Sequence, residues 1–138
     1  MPSKSLHDLT IPVGETWGDI REGVARLSED FPNSYCLKLD HEDAYPHQFV
    51  TTLTQSGYPA ALIPAEYGGS GLPLSAAGAV LETIHASGGN AGACHAPMYT
   101  TGTVLKYGSA PPQAAVLPQL ARGTSRPQAF GLPAPPTR

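Results

Sequence analysis

The residues with the clearest chemical potential stand in one stretch, PAEYGGSGL (64–72), where Gly68, Gly69 and Gly71 follow Tyr67. Clustered glycines can aim backbone N–H groups at a phosphate. A P-loop needs a lysine and a hydroxyl residue directly after its last glycine, and here Leu72 and Pro73 follow Gly71. A dinucleotide fingerprint needs a strand, a glycine turn and a helix in a βαβ unit, and no such unit is legible. The spacing therefore reads as a tight reversal that uses glycine's access to positive φ.

Two further constellations invite chemistry. Five histidines (His7, His41, His47, His85 and His95) raise the question of a metal, but none forms an i,i+4 pair on a helix and no H-E-x-x-H run occurs, so no metal is expected. Cys94 and His95 have the types of a nucleophile and its base. Neighbours on a helix point about 100° apart and do not face each other, so both are expected to pack against other helices instead.

Any such chemistry must work with an uneven charge distribution. Every Asp and Glu lies at or before Glu82; beyond it stand only Lys106, Arg122, Arg126 and Arg138. A carboxylate base in the last third of the chain is thereby excluded. The formal net charge of −3 over 138 residues argues against a nucleic-acid surface. No apolar run is long enough for a membrane span. The N-terminal stretch MPSKSLHDLTIPVG has no apolar signal region, and Cys36 and Cys94 form no disulfide framework. A cytoplasmic protein with two buried thiols is the expectation.

The elements that must position these residues are helical. With 15 Gly and 15 Pro, the helices are expected to be short and punctuated. In the first, TWGDIREGVARLSEDF, the residues Trp17, Ile20, Val24, Leu27 and Phe31 form one stripe, Thr16 and Asp19 resemble a capping box, and Glu22 and Arg26 are an i,i+4 pair. In YPHQFVTTLTQSGY, Phe49, Val50 and Leu53 face inward and Gly57 caps the end. The third, LSAAGAVLETIHASGG, has Ser75 as candidate N-cap and Ala77, Val80, Leu81 and Ile84 as its buried face. In the fourth, Pro97 predicts a kink or a late start. The fifth, PPQAAVLPQLARG, opens on prolines, and Pro118 is expected to bend it or confine it to two turns. Only YPAALIP suggests an extended piece. The fold class expected is all-α, an up-and-down bundle of about five to six helices.

At this point the residues resemble a known family. LIPAEYGGSGL, then LETIHASGGNAGACHAPMYTTGTVLKYGS, LPQLARGT and QAFG are similar to the N-terminal helical domain of acyl-CoA dehydrogenases, and the likeness spans roughly residues 17–131. Three segments in the family's order and spacing carry it: P-x-E-Y-G-G-x-G-L, G-T-x-x-L-x-x-G-S and L-P-x-x-A-x-G. The resemblance implies an oxidoreductase in which FAD oxidises an acyl-CoA thioester to the α,β-enoyl-CoA. A glutamate base takes the α proton while the β hydrogen leaves as hydride to the flavin. It also implies a homo-oligomer when full length and an electron-transfer flavoprotein as acceptor. In this family the helical lobe precedes a middle β domain and a C-terminal bundle, and the base belongs to the last. By the same likeness Met98, Tyr99, Gly102 and Thr103 line the far end of the acyl pocket, whereas periodicity alone reads them as core packing.

The departures carry information too. After QAFG the family continues with a T-E-P motif and a turn ending in Ser-Asp, while this sequence reads LPAPPTR. Phe130, Gly131 and Leu132 take the first flavin-facing positions, and Pro133 stands where threonine is usual. Pro97 replaces a helix-compatible residue, often glutamine. Residues 1–126 are thus expected to form the helical domain and 127–138 an aborted start of the β domain, in a truncated or frameshifted relative or a fragment. Two functions stand: the lobe of a dehydrogenase, not catalytic alone and with FAD weakly bound or absent, or a non-enzymatic helical module that binds a protein partner through the surface the β domain covers. In the second case a contiguous apolar patch is expected.

Overall fold

The computed structural model describes residues 16–127. Among them are six α-helices and two short 3-10 turns, with no strand: α1 (Gly18–Ser28), α2 (Asn33–His41), α3 (His47–Gln55), α4 (Leu74–Ala86), α5 (Gly92–Tyr107) and α6 (Ala110–Arg122). The all-helical expectation holds. Phe130, Gly131, Leu132 and Pro133 lie outside the described residues.

Two apolar clusters organise the helices. In the first, Val24 of α1, Leu53 of α3, Val80 and Ile84 of α4 and Met98 of α5 are buried together, with Ile20, Leu27 and Phe31 packed against them. Each fully buried aliphatic of this kind contributes roughly 1.5–3 kcal/mol relative to exposure. α1 lies chiefly along α4, where Arg21 and Glu82 pair at 2.7 Å. The second cluster joins Ala60 and Ile63 to Leu117 and Leu120 of α6. Hydroxyls inside the helices are satisfied locally: Ser28 donates to the Val24 carbonyl at 2.8 Å and Thr83 to that of Ala79 at 2.7 Å, which lets both stay buried.

Helix starts depart from the sequence reading. Thr16 and Asp19 form no capping box; the N-cap of α1 is Trp17, with φ 71 and ψ 34 and no side-chain cap bond. Ser75 is not an N-cap either, because α4 begins one residue earlier, at Leu74, after Pro73. Prolines 32, 46 and 73 occupy the N-cap positions of α2, α3 and α4. A proline's fixed φ supplies the turn into each of these helices, and in α4 it does so where Ser75 was expected to cap.

Prolines inside helices interrupt less than periodicity implies. α5 starts at Gly92, well before Pro97, and α6 runs for 13 residues through Pro118. An interior proline costs about 3 kcal/mol. Packing on both sides offsets this: Cys94 and Met98 bracket Pro97, Leu117 and Leu120 bracket Pro118, and all four are buried.

Three other expectations are corrected. YPAALIP is not extended; after Gly57 (φ 81) the chain closes a 3-10 turn at Tyr58–Ala60, with Ala60 N–H donating to Gly57 O at 3.1 Å. Cys36 is only half-buried, because it lies on α2, which was not among the helices read from periodicity and which buries no residue. His95 is exposed, and its ring meets Tyr99 of its own helix edge-on, with centroids 5.2 Å apart.

Candidate functional site

The glycine loop can be judged by where its N–H groups go. Gly68 donates to Ala65 O at 3.0 Å, Gly69 to Pro64 O at 3.2 Å, Ser70 to Ala60 O at 3.3 Å and Gly71 to Ile63 O at 2.8 Å. Every donor that could cradle a phosphate is spent within the lobe. Gly68 and Gly71 have φ of 89 and 61, and a Cβ on Gly69 would come within 2.1 Å of the Ile63 oxygen. The glycines are there because the chain reverses against itself.

Cys94 and His95 are not a catalytic pair. Cys94 is buried and His95 exposed, as successive helical positions dictate. Burial pushes the Cys94 thiol up from 9.0 to about 11, and the positive charge of Arg126 pulls weakly the other way. A thiol kept neutral at ordinary pH is a poor nucleophile.

That leaves the α5 face. Tyr99, Gly102 and Thr103 are half-buried and share one side of the helix, whereas Met98, about 100° round from Tyr99, is 3% exposed inside the first core cluster. Three of the four residues singled out are therefore together, and the fourth stands behind them as packing. Thr103 Oγ1 donates to the Tyr99 carbonyl at 3.1 Å, which leaves its methyl and Cβ on the face. A Cβ added at Gly102 would meet nothing within 4 Å among the described residues, so none of them requires glycine there. At the end of the helix Lys106 Nζ lies 5.3 Å from the Tyr107 ring centroid.

The family model for the acyl-CoA dehydrogenase N-terminal domain matches residues 15–124. The chain belongs to this family. No curated protein matches it.

Membership of a flavoenzyme family raises the question of whether the described residues of this acyl-CoA dehydrogenase lobe fit FAD. Its diphosphate would need N–H donors or cations, and the glycine loop has none to spare. Arg21 pairs with Glu82, Arg26 with Glu22 and Lys38 with Glu42. A cavity of about 400 Å³ between α2, the start of α3 and the α4–α5 turn has Asp40 as its one charged lining residue, which opposes an anionic ligand. Neither the glycine loop nor this cavity fits the cofactor's diphosphate.

That cavity is the feature periodicity missed. Tyr35 and Leu39 on α2, Phe49 on α3 and the backbone at Gly88 and Gly89 border it. Its one sequence signal is the i,i+4 pair of Tyr35 and Leu39 after Pro32. Among the described residues no helix is long and apolar enough to cross a membrane.

Proposed function

We propose that the chain acts as the N-terminal lobe of an FAD-dependent acyl-CoA dehydrogenase, forming part of the acyl-pocket wall and of the subunit contacts while performing no chemistry alone. The α5 face carries this reading. An apolar acyl chain needs a smooth surface without unpaired polar groups, and Tyr99, Gly102 and the Thr103 methyl provide one. The open space at Gly102 leaves room for the chain to pass, and Met98 backs the wall from the core.

Dehydrogenation of an acyl thioester needs a base for the α proton and a flavin to take the β hydride. Neither α5 nor α6 contains an Asp or Glu. Tyr99 and its neighbours exclude water and position the chain, and the proton and hydride transfers belong to groups outside the described residues. An electron-transfer flavoprotein as acceptor and a homo-oligomeric enzyme follow from the same reading.

The test is a titration of the chain with saturated acyl-CoA thioesters, followed by NMR and by turnover with an artificial electron acceptor. Amide shifts at Tyr99, Gly102 and Thr103 without turnover are expected. Turnover by this polypeptide alone, or shifts confined to the α2 cavity, overturns the reading.

A second reading, a non-enzymatic module that binds a protein partner, draws on exposed Leu37, Leu74 and Tyr107, of which Leu74 is 77% exposed and Tyr107 74%. They stand on three different helices. A monodisperse monomer that binds no hydrophobic dye counts against it.

A further inference from the structure

Pro97 cuts a notch into α5, and the notch is lined. Proline has no N–H, so the Ala93 carbonyl, four residues earlier in the helix, lacks the donor it would otherwise have. Beside it lies a cavity of about 20 Å³ whose walls include Ala93, Cys94, Pro97, Thr54 and Arg126. Arg126 Nε is fully buried and has no hydrogen-bond partner among the described residues. A residue whose side chain keeps an unpartnered donor and a residue whose carbonyl lacks its helical donor thus line the same small space. The helices that line this cavity, α3, α5 and α6, contain no Asp or Glu and so offer this guanidinium no carboxylate.

Volume and polarity together select the ligand. One water requires about 10–15 Å³ of accessible space and two to four polar partners. A phosphate or carboxylate needs several times that room and would set negative charge against the Ala93 carbonyl oxygen. We propose that the Pro97 notch is a built site for one ordered water, which accepts a hydrogen bond from Arg126 Nε–H and donates one to the Ala93 carbonyl. Thr54 Oγ1 donates to Val50 O at 2.7 Å and keeps lone-pair capacity for the water's second hydrogen.

Through this water Arg126 replaces the backbone bond that Pro97 removes. It also ties the segment leaving α6 to α5, at a point where a Cβ on Gly123 would already be 3.5 Å from the guanidinium. Arg126 is therefore a positioning residue, acting on the Tyr99–Gly102–Thr103 face by keeping α5 continuous. The site stands whether or not that face lines an acyl pocket.

Two measurements on the full 138-residue chain test it. In NMR of ¹⁵N-labelled arginine, Arg126 Nε–H is expected to be protected from exchange and to cross-relax with a long-lived water. In a double-mutant cycle, Arg126→Met is expected to raise the unfolding constant about 3–10-fold, as loss of one net hydrogen bond implies. In the P97A background, which restores the missing donor, the same change should have an effect of about 2-fold or less. Equal fold-changes in both backgrounds, or an Arg126 Nε–H that exchanges as fast as that of exposed Arg122, overturns the proposal. If Arg126→Met does not fold, the exchange and cross-relaxation of the unaltered chain decide alone.

Discussion

Trp17 Nε1 donates to Ser75 Oγ at 3.2 Å, tying the start of α1 to the first turn of α4 across most of the sequence between them. Trp17 sits in the left-handed region, at φ 71 and ψ 34, which costs a non-glycine residue roughly 1–2 kcal/mol. The strain is sustained by this bond and by the Arg21–Glu82 pair on the same interface. Ser75→Ala is expected to lower stability by about 0.5–1.5 kcal/mol. Because Trp17 is the sole tryptophan, its emission should shift to the red as the indole N–H turns to water. An unchanged spectrum together with an unchanged denaturation midpoint would show that the bond does not hold α1 in place.

Two glycine substitutions should move stability in opposite directions. A Cβ on Gly69 would meet the Ile63 carbonyl oxygen at 2.1 Å, and the rigid backbone cannot yield. Gly69→Ala is expected to cost about 1–3 kcal/mol. Gly78, on the exposed side of α4, has nothing within 4 Å of such a Cβ. Gly78→Ala should stabilise by about 0.5–1 kcal/mol, because alanine has less backbone freedom to lose. Thermal melts of the two variants check the pair, and a shared direction contradicts the packing described for the loop.

Leu53 is 0% exposed, at the centre of the first cluster. Leu53→Ala is expected to cost about 2–5 kcal/mol. Against a typical domain stability of about 5–15 kcal/mol that is a large share, and urea midpoints should show it. A loss below about 1 kcal/mol would mean the cluster repacks around the gap.

The buried thiol makes stability fall at high pH. Burial raises the Cys94 thiol from 9.0 to about 11, with Arg126 opposing. Above pH 9 the unfolded chain releases this proton while the folded chain keeps it, so the unfolded state gains. Stability is full below pH 9 and drops toward pH 11, by at most about 1.4 kcal/mol per pH unit from this group. Cys94→Ala should flatten that part of the profile relative to the unaltered chain. Parallel profiles for the two would remove Cys94 as the cause.

Much of the fold was legible in the residues. The stripe Ile20, Val24, Leu27 and the trio Phe49, Val50, Leu53 turn inward as their spacing requires. Spacing carries this information because an amphipathic helix has one way to bury its apolar side. α2 escaped notice for the same reason, since it buries no residue and so leaves no stripe. The prolines misled because their local cost is visible in the sequence, while the buried side chains that outweigh it are not.

The candidate site divides along the same line. Residue types alone set aside a P-loop, a catalytic Cys–His pair on one helix and any carboxylate base after Glu82, because these depend on which groups exist and how far apart they stand in the chain. Only the tertiary structure decided that the glycine-loop N–H groups are spent on the carbonyls of residues 60–65, that Met98 faces the core while Tyr99 and Gly102 do not, and that Arg126 and Ala93 line one small cavity. Those facts depend on contacts between segments distant in sequence. Periodicity reports which side of a helix is apolar, but not what the rest of the chain places against it.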